Sequence, residues 1–92
     1  MDQSDTLDIS KFHTLIPCEW RVLLCLSEDR SNSEIANRLC LSKKSVETYQ
    51  TRIGIKLEIT GRSKVAFFAR RNRIMILKVY DQICLSKKNK KL

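Results

Sequence analysis

Glycine and proline are scarce in these 92 residues, with two of the first and one of the second. So little turn chemistry excludes an all-β fold. Cysteine stands at Cys18, Cys25, Cys40 and Cys84, with no CxxC pair and with His13 as the sole imidazole. That pattern argues against a zinc site, and no cofactor is expected. Cys25 and Cys40 fall at apolar helical positions, where cysteine acts as a small buried hydrophobe. His13 has no carboxylate or serine at motif spacing and reads as a surface or packing residue. No apolar run is long enough to span a bilayer, and the acidic, polar start is not that of a signal peptide. A reducing cytoplasm is expected. Glycine-rich phosphate loops, paired carboxylates and nucleophile–base arrangements are missing too, so no enzyme is expected.

What is present is helical. Hydrophobic residues make up 42% of the chain, enough for one modest core. They recur at helical rather than alternating spacing, so the expected class is all-α. The net charge is +8 and unevenly placed: residues 1–14 set Asp2, Asp5 and Asp8 against Lys11, and the rest carries +10. Such asymmetry points to a polyanionic partner, nucleic acid before membrane.

The stretch from Ser31 to Leu57 organises the rest. Ser31 and Asn32 are N-cap residues, and Ser31 with Glu34 makes a capping box. Ile35, Ala36, Leu39 and Cys40 form the apolar stripe of one short helix. Leu41 and Ser42 break it, and Ser42 can cap a second helix beginning at Lys43. There Val46, Tyr49 or Gln50, Ile53 and Leu57 repeat inward, while Lys44, Glu47, Thr48, Thr51 and Arg52 lie on or beside the opposite face. Two helices so spaced suit a helix-turn-helix, one crossing the backbone and one in the major groove of duplex DNA.

Upstream, Pro17 at a first helical position opens a helix through Ser27 with Trp20, Val22, Leu23, Leu24 and Leu26 inside and Glu19 and Arg21 in solvent. Residues 1–14 read as an acidic flexible leader. Beyond Gly61 one long helix of about twenty residues is expected, with a kink near Asn72 as the alternative. The basic run Lys87–Lys91 reads as solvated. The expected units are therefore residues 15–72, a C-terminal helical extension over 73–86, and a tail over 87–92.

Residues Leu15 to about Ala66 resemble the LuxR-type (GerE-like) helix-turn-helix domain of bacterial transcription regulators. The match runs through Leu15, Pro17, Glu19, Val22, Leu23 and Leu26, then Ser31-Asn32, Glu34-Ile35-Ala36, Arg38-Leu39 and Leu41-Ser42. It continues through Ser45-Val46, Arg52-Ile53, Lys56-Leu57 and Arg62. Ile16, Cys18, Tyr49, Gly54, Ile55 and Glu58 depart from the family pattern. Gly54 costs about 1 kcal/mol of helix propensity. The resemblance implies a four-helix LuxR/GerE-type helix-turn-helix domain with an extended C-terminal helix. It implies base reading by Glu47, Thr48 and Thr51, and phosphate contact by Lys43, Lys44, Tyr49, Arg52 and Lys56. For Glu47, pairing with Lys43 or Lys44 along the helix is an equal alternative.

With few residues ahead of the domain, the chain resembles the stand-alone members of the family. The apolar C-terminal segment suggests a homodimer through Phe68, Ile76, Val79, Tyr80 and Ile83; the alternative folds it back over the N-terminal helix. Double-stranded DNA is the expected partner, with RNA polymerase as a further candidate. Two other readings stay open: an antagonist that pairs with another LuxR-type regulator, and a promoter-binding module like region 4 of sigma factors.

Overall fold

The computed structural model describes residues 9–60 and 62–90, with side chains described over 10–60 and 64–85. A 3₁₀ turn, Ile9–Thr14, leads into five α-helices: α1 Pro17–Ser27, α2 Asn32–Leu39, α3 Lys43–Leu57, α4 Arg62–Arg71 and α5 Arg73–Lys90. This is an all-α domain, a four-helix unit with an added C-terminal helix. The acidic residues 1–8 and Gly61 lie outside the described residues, as do the side chains of the basic tail.

Local chemistry sets the helix starts. Ser31 Oγ accepts from the Glu34 amide at 3.2 Å while Glu34 Oε1 accepts from the Ser31 amide at 2.9 Å, closing the capping box. Ser42 Oγ accepts from the Ser45 amide at 3.0 Å and starts α3. α1 begins at Pro17 although Ile16 has no side-chain acceptor; Glu19 instead reaches back to accept from the Ile16 amide at 3.0 Å.

The first three helices stop in one way. The amides of Arg30, Leu41 and Ile59 each donate to a carbonyl five residues back, on Cys25, Ala36 and Gly54. This closure needs a left-handed residue, here Asp29 (φ 64°), Cys40 (φ 58°) and Glu58 (φ 60°). Cys40 is therefore an exposed cap and not the buried hydrophobe its spacing suggests. A side chain in this conformation costs about 1–2 kcal/mol, which glycine avoids. Cys40→Gly is expected to raise stability by about 1 kcal/mol, read as a higher urea midpoint at unchanged slope. Glu58→Gly gains less, because it also removes an ion pair with Lys11.

α1 lies at the centre, against α2, α3, α4 and α5. Val22, Leu23 and Leu26 meet Ile35, Val46, Ile53, Val65 and Ala69 in one buried cluster. Two expectations fail at its edges. Phe12 is fully buried and stacks on Trp20 with centroids 5.7 Å apart, so the folded unit includes part of the expected leader. Glu19 is 1% exposed and not in solvent.

The long C-terminal helix is divided. Asn72 Nδ2 donates to the Phe68 carbonyl at 3.0 Å, the same oxygen that takes the Asn72 amide, and this insertion into the backbone ladder bends the chain. Helical backbone then continues to Lys90, through most of the expected basic tail. The bend lays α5 back over α1 and the 3₁₀ turn. Ile76 and Val79 are buried, and Tyr80, Ile83 and Phe68 pack half-buried on the same core. These five residues were expected at a dimer contact; within one chain Ile76 and Val79 are taken up by its own core, and Phe68, Tyr80 and Ile83 are partly covered by it. The exposed apolar groups of this region are instead Phe67, Ile74, Leu77 and Leu85.

Candidate nucleic-acid interface

α3 presents two unlike sides. Val46, Gln50, Ile53, Gly54 and Leu57 are buried, which settles the choice between Tyr49 and Gln50 for the inward position. Gln50 Nε2 donates to Asn32 Oδ1 at 2.6 Å and locks α3 against the start of α2. On the far side Lys43, Lys44, Thr48, Thr51, Arg52 and Ile55 are exposed. Among the described residues α5 makes no contact with α3, so this side is open.

Its first turn holds Lys43 and Lys44 and no acid. Cations beside the positive end of a helix dipole weaken the helix by about 0.3–1 kcal/mol, and the same arrangement favours an incoming anion. Ser42, Lys44, Ser45, Thr48, Tyr49 and Arg52 line a shallow recess of about 320 Å³ there. The Arg52 guanidinium lies 5.9 Å from the centre of the Tyr49 ring, a cation–π contact that holds it beside the recess. The Tyr49 phenol lies beside Cys18, whose side chain pushes the phenol's pKa up. Ser45 was matched to the family pattern but given no site role; its position three residues after the Ser42 cap is the signal that could have assigned one.

The two threonines are oriented by their own helix. Thr48 Oγ1 donates to the Lys44 carbonyl at 3.0 Å and Thr51 Oγ1 to the Glu47 carbonyl at 3.1 Å. Each hydroxyl has one proton, so what remains for a ligand is acceptor lone pairs and a methyl group. Glu47 sits apart from that line, half-buried, and lines a recess with Arg30, Asn32 and Gln50 near the start of α2.

Lys56 is placed differently from the resemblance. Its ammonium donates to Glu19 Oε1 at 2.7 Å and to the Thr14 carbonyl at 3.0 Å, tying α3 to α1 and the 3₁₀ turn. It satisfies a buried carboxylate instead of facing the open side.

Gly54 has a steric explanation. A Cβ there would stand 2.8 Å from the Ile59 carbonyl oxygen and 3.2 Å from Val65 Cγ2. The link to α4 thus packs directly on bare helix backbone, and the last turn of α3 remains regular to Leu57. Ile55, beside it, is 72% exposed on the outer line.

Among the described residues no group of His, Cys, Asp and Glu could hold a metal ion, and no helix is long and apolar enough to cross a membrane. The profile of the family described as "Bacterial regulatory proteins, luxR family" matches residues 13–69. The DNA-binding transcriptional activator EvgA of Escherichia coli K12 is 33% identical over 69 residues, 75% of this chain and 34% of the relative. The transcriptional regulatory protein LiaR of Bacillus subtilis is 33% identical over 57 residues, 62% of this chain and 27% of the relative. YhcZ of Bacillus subtilis, described as an uncharacterized transcriptional regulatory protein, is 37% identical over 59 residues, 64% of this chain and 28% of the relative. The chain thus spans about a third or less of the length of these relatives. No solved structure matches it. The capped two-helix unit, its open basic side and the profile match agree: the chain belongs to the LuxR family of bacterial regulatory proteins, and the matched residues are its non-catalytic helix-turn-helix DNA-binding domain.

Proposed function

We propose that the protein is a sequence-specific regulator of transcription that lays α3 in the major groove of double-stranded DNA. The observation that carries this is the uncovered outer line of α3, Lys44, Thr48, Thr51 and Arg52, with the anion-favouring recess at its start. Lys43, Lys44 and Arg52 take phosphates and supply salt-dependent affinity; Thr48 and Thr51 meet base edges. Because both threonine hydroxyls donate within the helix, they accept from the amino groups of adenine or cytosine or touch a thymine methyl. Guanine, whose groove edge offers acceptors, is disfavoured opposite them. Glu47, set apart from that line, accepts from cytosine N4 only by turning out of its recess, and the Tyr49 hydroxyl reaches phosphate beside Arg52.

Selection of bound sequences from a random duplex pool tests this. The selected sites are expected to lack guanine where Thr48 reads, and Thr48→Ala to relax that position. Lys44→Ala and Arg52→Ala are each expected to weaken all sequences alike and to flatten the slope of log K against log salt by about 0.9. An unchanged preference profile in Thr48→Ala would remove its base-reading role.

A two-fold pair of chains, with α3 helices about one DNA turn apart, suits a palindromic site. Since Ile76 and Val79 are buried and Phe68, Tyr80 and Ile83 are half-buried, the pairing surface proposed is the exposed set Phe67, Ile74 and Leu77. Sedimentation of Ile74→Ser at several concentrations reads it directly. The antagonist reading draws on Ile55, an exposed apolar group on the DNA-facing line. Binding of random duplex DNA at low salt separates the two, since an antagonist without a working basic face shows none.

A further inference from the structure

A recess of about 220 Å³, sharing no lining residue with the recess on α3, lies where the start of α1 meets α5. Its apolar walls are Leu15, Pro17 and Trp20 on one side and Tyr80 and Ile83 on the other. The Trp20 and Tyr80 rings meet at 5.2 Å between centroids, tilted by 54°, and Phe12 stacks behind the indole. Trp20 is only 5% exposed, so its ring is a fixed wall of the recess. At the rim stand Arg21 and His13. Arg21 is exposed and no hydrogen bond or ion pair ties it among the described residues; Cys84 completes the lining beside Tyr80, whose phenol feels the charges of both Arg21 and Asp81.

An exposed guanidinium at the rim of an aromatic-walled recess selects for a particular chemistry. A cavity of about 150 Å³ accommodates benzene, so this one has room for a ring and one small polar group. A neutral hydrocarbon would make no use of the guanidinium at the rim. A phosphate or other polyanion would set charge against apolar walls at a desolvation cost. The geometry points to a binding site for a small aromatic monocarboxylate, its ring among Trp20, Tyr80 and Ile83 and its carboxylate on Arg21. The site goes beyond DNA recognition and does not depend on it. Its walls come from both α1 and α5, so an occupant fastens the C-terminal helix to the body of the domain.

Trp20 is the one tryptophan of the chain and reads the site directly. In the full chain, benzoate is expected to change Trp20 emission saturably, with a dissociation constant of about 1 mM or tighter. Benzyl alcohol, its neutral counterpart, is expected to bind about tenfold more weakly. Arg21→Gln, an exposed change that leaves packing intact, should weaken benzoate about tenfold and leave benzyl alcohol unchanged. Ile83→Phe, which fills the recess, should abolish both responses while circular dichroism stays that of the parent. The inference is overturned by any of three results: no saturable response to benzoate, equal affinity for the two compounds, or full benzoate binding in folded Ile83→Phe.

Discussion

Lys56→Ala is expected to lower the melting temperature by about 10–20 °C and to leave the salt dependence of DNA binding unchanged. The first part follows from Glu19, whose side chain is 1% exposed and whose Oε1 takes the Lys56 ammonium at 2.7 Å. Removing one partner of a buried pair leaves a carboxylate without its counter-charge, a loss of about 3–5 kcal/mol. Two features reduce it here. The Lys56 side chain is 31% exposed, so water reaches the pair, and Glu19 keeps the Ile16 amide as a donor. About 2–4 kcal/mol remains. The Glu19→Met, Lys56→Met double variant should lose less than the two single losses together, because no charge is then left buried. The second part separates structure from recognition. If Lys56 held a phosphate, its removal would lower the salt slope as Lys44→Ala is expected to do. A slope lowered by about 0.9 in a folded Lys56→Ala protein would return Lys56 to the DNA contacts.

Gly54→Ala is expected to destabilise the domain by about 1–2 kcal/mol, against the sign that helix propensity gives. Propensity favours alanine inside a helix by about 1 kcal/mol. The added Cβ, however, would lie 2.8 Å from the Ile59 carbonyl oxygen, which is backbone and cannot rotate aside. That carbonyl belongs to the residue whose amide closes α3 on the Gly54 carbonyl at 2.7 Å, so a shift there loosens the helix end as well. Overpacking of this kind costs about 1–3 kcal/mol, and it outweighs the propensity gain. A urea titration decides the sign, and a higher midpoint in Gly54→Ala would show that the link to α4 yields easily. Gly54→Leu, which restores the large apolar residue usual in the family, should be worse still, since Val65 Cγ2 stands 3.2 Å from the same Cβ.

Both variants lie where sequence reasoning and structure part. Ser31 with Glu34, Ser42, and Pro17 at the start of α1 were legible because a cap is a contact within four residues of one chain segment. The inward stripe of Val46, Ile53 and Leu57 was legible for a similar reason, since the helical period alone puts these positions on one side. The outer positions Lys44, Thr48, Thr51 and Arg52 follow from the same period, and the helix-turn-helix with them. Cys40 misled because the period places it on the stripe, whereas closing α2 required a left-handed residue at that point.

The sequence by itself therefore determined α1 to α3, their starts and the exposed basic side of α3, all set by interactions at short separation along the chain. It offered the division at Asn72 only as an alternative to one long helix. Only the tertiary structure decided what each remaining surface meets. An apolar stripe such as Phe68, Ile76, Val79, Tyr80 and Ile83 states that something must cover it, but hydrophobic attraction has no direction and names no partner. The bend at Asn72 supplied that partner by folding α5 onto α1. A carboxylate and an ammonium far apart in sequence, Glu19 and Lys56, likewise carry no mark of pairing until the packing of α1 against α3 brings them within 2.7 Å.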